Sequence, residues 1–460
     1  MRGSLRETSR RPPVQCGHPR PVIRSRPPLP GIPLAIVAIV ALGAVVAAPP
    51  LQDAATGRAV PFAHLEQPLG YLLGAPLFGI WDAMSLLTVS QHYAVLITVI
   101  LLYVARRVHT VRTGRRKLAA DPATAEDAAH PGFSLMLAVL ELFGAVGFLI
   151  AVLAFYAAAV FLPRPMVAVR LDDPDLLTVD FHSHTNHSHD GWARFTAARN
   201  RAWHEGGGFD AAYITDHYTW AGVDDAAPAN PARAGERTVM LPGMEVRLRN
   251  RHINLLGDRD RYVFALDSTW HHLDPDSIAA ARERGAPPVT MLYTIPGRLD
   301  QVVPLGPGSP AGVVGVELSD GAPRGLEQVR AERAQILAIA DSMDLAVVAG
   351  SNLHGWGRTV AAWSLMRLPG WRDMSPDELG SAIEEVLHRE RRRAVTVVER
   401  RMPYHDGSRV GIAATVPWLL WEHFRMMTVA ERGSWIAWIV LIVLAGRGLR
   451  RRRAAVPVAP

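Results

Sequence analysis

Residues 180–191 read DFHSHTNHSHDG, with four histidines and two aspartates in twelve positions. The apolar run LLTV leads straight into them. Side chains on a strand alternate, so His182 and His184 project to the same side. Two neutral imidazoles at that spacing, with the Asp190 carboxylate a few residues on, can hold a transition metal. Other polar residues also follow apolar runs. Asp216 and His217 close ITDH, Glu245 ends VMLPGMEV, His252 opens HINLLG, and Glu317 ends GVVGVEL. Asn352 and His354 follow LAVVAG in GSNLHGWG. The C-terminal ends of strands are where α/β barrels and doubly wound sheets build their sites.

The elements that must position these residues read as strands alternating with helices. LLTVDF, DAAYIT, VMLPGMEV, HINLLG, VTMLYTI, GVVGVEL and LAVVAG are strand-like. Residues 192–205 end in a triple-glycine stop, and 327–343 carries apolar positions at helical spacing. Strand then helix, repeated, predicts a parallel sheet, open or closed into a barrel. Residues 297–315 are rich in Pro and Gly and read as a loop.

These motifs resemble the PHP (polymerase and histidinol phosphatase) superfamily of metal-dependent phosphoesterases. HSHTNHSHDG, ITDH, the pair Glu245 and His252, and Ser351-Asn352-Leu353-His354 occur in that family's order over residues 180–357. The resemblance implies a distorted (β/α)7 barrel. It implies that His182, His184 and Glu245 hold one metal, and that Glu245 bridges to a second bound by His252. Asp190, His217 and His354 would hold a third. The ions would be Zn, Mn or Fe. Two positions depart from the pattern. Asn352 stands where the family has an aspartate, and Ile295 stands where it often has a histidine. The expectation is one or two ions held firmly, with the third site weak or absent.

Around this set, Asp216 is expected to orient His217, because metal-bound imidazoles need a hydrogen-bonding partner. His187 and His189 are expected to face solvent or support ligands. Glu317 divides between a structural role and substrate contact. Arg358 divides between a phosphate clamp and a surface charge. Arg247, Arg249 and Arg251 read as a solvated hairpin.

The flanking sequence is of another kind. The chain has 460 residues, is 49% hydrophobic and carries a net charge of +6. Residues 31–48, 84–105, 133–161 and 433–449 form apolar stretches with the length of membrane helices. Glu141 lies alone in the third, where a pairing with His92 of the second is expected. Arginines cluster before the first stretch, after the second and after the fourth. Lys and Arg collect on the cytoplasmic side, so both termini are expected inside. These arginines account for the net charge without a nucleic-acid partner. The expected organisation is a basic tail (1–30), three transmembrane helices (31–162), the metal-binding domain (163–411), an interfacial linker helix (412–432), a fourth span (433–449) and a basic tail (450–460). Cys16 falls in the first tail, so the outer domain makes no disulfide.

The expected function is therefore a phosphoesterase anchored in the plasma or inner membrane. It would act outside the cytoplasm on a phosphorylated small molecule, lipid or cell-envelope substrate. The two departures leave room for a catalytically weakened sensor of metal or a phospholigand. The same water activation would also suit hydrolysis of a C–N or C–O bond.

Overall fold

The computed structural model describes residues 31–119, 131–248, 251–294, 312–400 and 408–454. The basic tail before residue 31 with Cys16, and also Arg249 and Ile295, lie outside the described residues.

The centre of the soluble part is one long sheet. Its main parallel strands are β4 (Leu176–Ser183), β5 (Ala211–Ile214) and β6 (Val239–Leu248), followed beyond a hairpin by β9 (Thr290–Tyr293), β10 (Val313–Asp320) and β11 (Ala346–Gly350). The expected parallel order holds for these strands and is interrupted elsewhere. β7 (Arg251–Leu256) runs antiparallel to both β6 and β9. On the other side, β12 (Ala362–Arg367) and β13 (Thr396–Glu399) form an antiparallel pair against β4. The cause is local. The β6–β7 link is too short for the crossover helix that a parallel pair needs, so it can only make a hairpin.

The sheet curls on itself. Beyond the end of β11, Asn352 N–H donates to the His182 carbonyl at 2.8 Å, and His184 N–H to the Leu353 carbonyl at 3.0 Å. These bonds bring the last parallel strand back to the first at the edge where the histidines lie. β4 is buried along its whole length, as a strand covered on both faces must be. Register shifts fall between Asp180 and Ser183 and between Glu317 and Ser319. Such irregularities re-aim side chains at strand ends, and here both lie among the site residues.

Residues ahead of the expected domain also join it. β1 (Gln52–Asp53) pairs with β13, and β2 (Ala63–Glu66) pairs with β3 (Ala168–Leu171). A helix that the sequence reading did not foresee, α2 (Leu69–Ser85), precedes the second apolar stretch.

Three segments are long and apolar enough to cross a membrane: Val89–Thr113, Ala138–Phe161 and Val429–Gly448. They lie in α3 (Val89–Ala119), α4 (Pro131–Phe161) and α12 (Val429–Ala454). The expectation of four is reduced to three among the described residues. The first apolar stretch forms α1 (Gly31–Val45), 15 residues and so about 22 Å long, short of a hydrocarbon core of about 30 Å. The expected Glu141–His92 pair is also replaced. Arg107 Nε donates to Glu141 at 2.7 Å, while the His92 ring packs beside Tyr156 at 5.9 Å. α3 and α4 run antiparallel, so His92 meets the later part of α4, about 22 Å from Glu141 at 1.5 Å per residue.

Candidate metal centre

The site is built where β4, β5, β6 and β11 end. Glu245 is its hub. On the β6–β7 hairpin Glu245 pairs with Asn254, and His252 pairs with Arg247. His252 is thus the diagonal neighbour of Glu245 on one face, within side-chain reach. Glu245 Oε1 lies 2.6 Å from His252 Nδ1. Its Oε2 lies 3.0 Å from His182 Nε2, 3.3 Å from His184 Nε2 and 3.4 Å from His217 Nδ1. One buried carboxylate therefore touches four imidazoles.

A second cluster adjoins it. Asp190 Oδ1 is 3.2 Å from His354 Nε2, and Asp190 Oδ2 is 3.6 Å from His217 Nε2. The His184 ring stacks on His354 at 4.1 Å and on His217 at 4.8 Å. The ligand atoms of His182, His184 and Glu245, of His217, Glu245 and His252, and of His184, His217 and His354 each converge within 4.8 Å. So do those of His189, Asp190 and His217, which brings the exposed His189 closer to the centre than expected.

The geometry fits a cation. His182 Nε2 and His184 Nε2 stand 3.0 Å apart, too close for two protonated nitrogens to face each other. Tetrahedral ligands at zinc–nitrogen distance lie about 3.3 Å apart, close to the spacing of these two nitrogens and Glu245 Oε2. His184 Nδ1 is buried with no hydrogen-bond partner, a state that costs free energy unless something else satisfies it.

Electrostatics sort the groups. Burial opposes charge on His182, but the flanking Glu317 and Glu245 carboxylates outweigh it and hold the imidazole well above its usual range. Burial and the neighbouring His354 push His184 well down. Burial takes His217 down to about 4, against the pull of Glu245 and Asp190. Neutral imidazoles are the ligating form. Burial works to raise Glu245, yet its contacts with His182, His184 and His252 keep it well below the usual carboxylate range.

The surroundings hold these ligands. Glu317, fully buried, takes His182 Nδ1 at 2.9 Å, the carboxylate–imidazole pairing that fixes a ligand's tautomer. Burial raises Glu317 well above the usual range. The Asn352 carbonyl takes His354 Nδ1 at 2.9 Å. The Asn352 side-chain amide instead donates to Asp320, at 3.0 and 3.1 Å. Asp216 does not bond His217 as expected; it accepts Thr185 N–H and O–H, both at 2.6 Å, and so pins the turn after His184. A Cβ on Gly222 would stand 2.0 Å from that carboxylate. Arg358 is half-buried and makes no ion pair among the described residues. Burial and the nearby Arg164 and Arg199 lower its pKa. His187 bonds Asp225 at the surface.

Sequence reasoning missed three supports. Asp180 accepts His182 N–H at 3.1 Å, Ser351 N–H at 2.9 Å and His204 Nε2 at 2.7 Å. Period two places Asp180 on the side of His182, so that residue was within reach. His204 and Asp320 carry no local signal.

No family model matches the sequence, and no curated protein matches it. Among solved structures, the chain is similar to PsfC from Pseudomonas syringae, at 17% identity and TM-score 0.35, over 53% of this chain and 98% of that one. It is similar to a two-domain protein from Bacteroides vulgatus containing a predicted PHP-like metal-dependent phosphoesterase, at 15% identity and TM-score 0.35, over 49% of this chain and 65% of that one. It is also similar to a lesion-specific endonuclease from Pyrococcus furiosus, at 14% identity and TM-score 0.32, over 46% of this chain and 56% of that one. At these scores the likenesses stop short of a family assignment. Fold and site together define a mixed α/β domain with a curled sheet and a buried histidine–carboxylate centre.

Proposed function

We propose that the chain is a membrane-anchored, metal-dependent phosphoesterase whose site lies outside the cytoplasm. The observation that carries this reading is the Glu245 carboxylate set among His182, His184, His217 and His252. A divalent cation bound there would supply Lewis acidity and a water of pKa near 7. His182, His184 and Glu245 would hold one ion, and His252, against the other oxygen of Glu245, would help to hold a second with His217. Asp190 and His354 would complete a weaker site. Glu317 keeps the His182 tautomer fixed. Arg358, which makes no ion pair among the described residues and lies near Arg164 and Arg199, favours an anion. Its planar fork suits the oxygens of a phosphoryl group.

The orientation rests on charge. Arg106, Arg107 and Arg112 in α3, and Arg447 in α12, lie at the helix ends remote from the domain. Excess arginine marks the cytoplasmic side.

The test is metal analysis of the full chain purified in detergent, together with hydrolysis of an aryl phosphate in added Mn²⁺. Turnover that disappears in Glu245→Ala along with the bound metal supports the reading. Full metal occupancy without turnover of any phosphoester sinks it.

A further inference from the structure

Two of the three apolar spans among the described residues have an end close to residues that flank the metal centre. The span Ala138–Phe161 finishes at Phe161, whose ring lies 5.8 Å from Trp356 and 6.0 Å from Trp192. Trp192 follows Asp190 by two residues, and Trp356 follows His354 by two. The span Val89–Thr113 starts three residues after Leu86. Leu86 and Leu326 form one wall of a cavity of about 320 Å³. Asp190, His354 and the half-exposed Trp356 line the same cavity. That volume is within the range of small-molecule sites.

The patch beside this cavity is apolar and open. Trp356 is 47% exposed, Phe161 51% and Leu162 48%. Tryptophan at the end of a span is a mark of the membrane–water boundary. Arg199 lies over the Trp192 ring at 5.9 Å and adds positive charge there, which suits an anionic headgroup at a lipid surface. A site for a water-borne ester has no need of an apolar rim joined to two spans.

We propose that the substrate is a phosphorylated amphiphile resident in the bilayer. Its phosphate would lie beside Asp190 and His354, and its first carbons between Leu86 and Trp356. This rests on the phosphoesterase reading above. The reaction is plain hydrolysis. The water oxygen bonds to phosphorus, the P–O bond to the lipid alcohol breaks, and that oxygen takes a proton released by the water. Nothing is oxidised or reduced.

The test compares three esters with the full chain reconstituted in phosphatidylcholine vesicles with Mn²⁺: dioleoyl phosphatidic acid in those vesicles, soluble glycerol phosphate, and an aryl phosphate. The expected kcat/KM for the lipid exceeds that for glycerol phosphate by at least about tenfold. Trp356→Ser is expected to shrink that ratio by about fivefold or more. Leu162→Ser, at an exposed position, gives the same readout should Trp356→Ser fail to fold. Turnover of the aryl ester with no preference for the lipid overturns the inference and leaves the phosphoesterase reading standing. Absence of turnover on all three, with metal bound, overturns both.

Discussion

Thr359 donates its hydroxyl to the Asp82 carboxylate at 2.8 Å, tying the loop that carries His354 to helix α2. Asp82 also accepts Tyr71 O–H at 2.8 Å and Arg164 at 3.3 Å. Arg400 extends the network to Glu431 of α12, at 2.9 Å. Asp82, Arg164, Tyr71, Arg400 and Glu431 are all buried. Removing one member leaves a buried charge uncompensated, which costs about 3–5 kcal/mol. Asp82→Ala is therefore expected to lower the thermal midpoint of the full chain in detergent by several degrees. Asp82→Asn, which keeps an acceptor for Thr359, is expected to cost less.

Asn352 adopts φ 43° and donates both its amide bonds to Asp320. Asn352→Asp would replace that donor with a second carboxylate against a buried one. The expected result is a loss of about 1–3 kcal/mol, with no gain in rate from the added charge. Burial already raises Asp320, and a second acid there would be raised too. Stability from raised acids is present at low pH and is lost as pH rises through their folded pKa values. Urea midpoints at pH 5 and pH 8 check this, and the penalty should be greater at pH 8.

Gly350 ends β11 directly behind the ligands. A Cβ there would stand 2.3 Å from Glu317 Oε1 and 2.5 Å from His182 Cβ. Gly350→Ala must displace one of them, at about 1–3 kcal/mol for an overpacked site. Because Glu317 holds the His182 tautomer, metal affinity is expected to fall by about tenfold or more. Competition with a chelator measures it. Unchanged affinity would show that Glu317 does not support His182.

Glu384 lies away from the centre, between Arg261 at 2.6 Å and Thr290 at 2.9 Å. Burial raises it to about 7 in spite of both partners. Its folded pKa exceeds the unfolded value of 4.5. The folded state therefore holds the extra proton, and stability falls as pH rises from about 4.5 to about 7. Glu384→Gln is expected to flatten that slope in a pH series of chemical unfolding.

The centre was largely legible in the chain. His182, His184, His217 and His354 lie at or just past strand ends, a position that hydrophobic runs mark well, and Asp190, Glu245 and His252 converge with them from a turn and a hairpin. Asp216 was misassigned because its donors are the N–H and O–H of Thr185, directly after His184, and no sequence pattern marks that pairing. The antiparallel pair β12–β13 was missed, while the link between β6 and β7 was read as a hairpin. α2 escaped because Pro76 and scattered glycines weaken a helical pattern. The partner of Glu141 was misjudged because facing positions on two antiparallel helices depend on their offset, which neither helix encodes alone.

The pairing of β1 with β13 bears on how the protein is made. Gln52 faces Glu399, so among the described strands the first to be made is completed by the last. Between them come two long apolar helices and the strands that carry the histidine–carboxylate centre. Such distant closure is slow, and until it happens β13 presents an open edge to any strand nearby. The sheet can be sealed only after α3 and α4 have been made, so the two apolar helices and the sheet they interrupt are completed as one assembly rather than two.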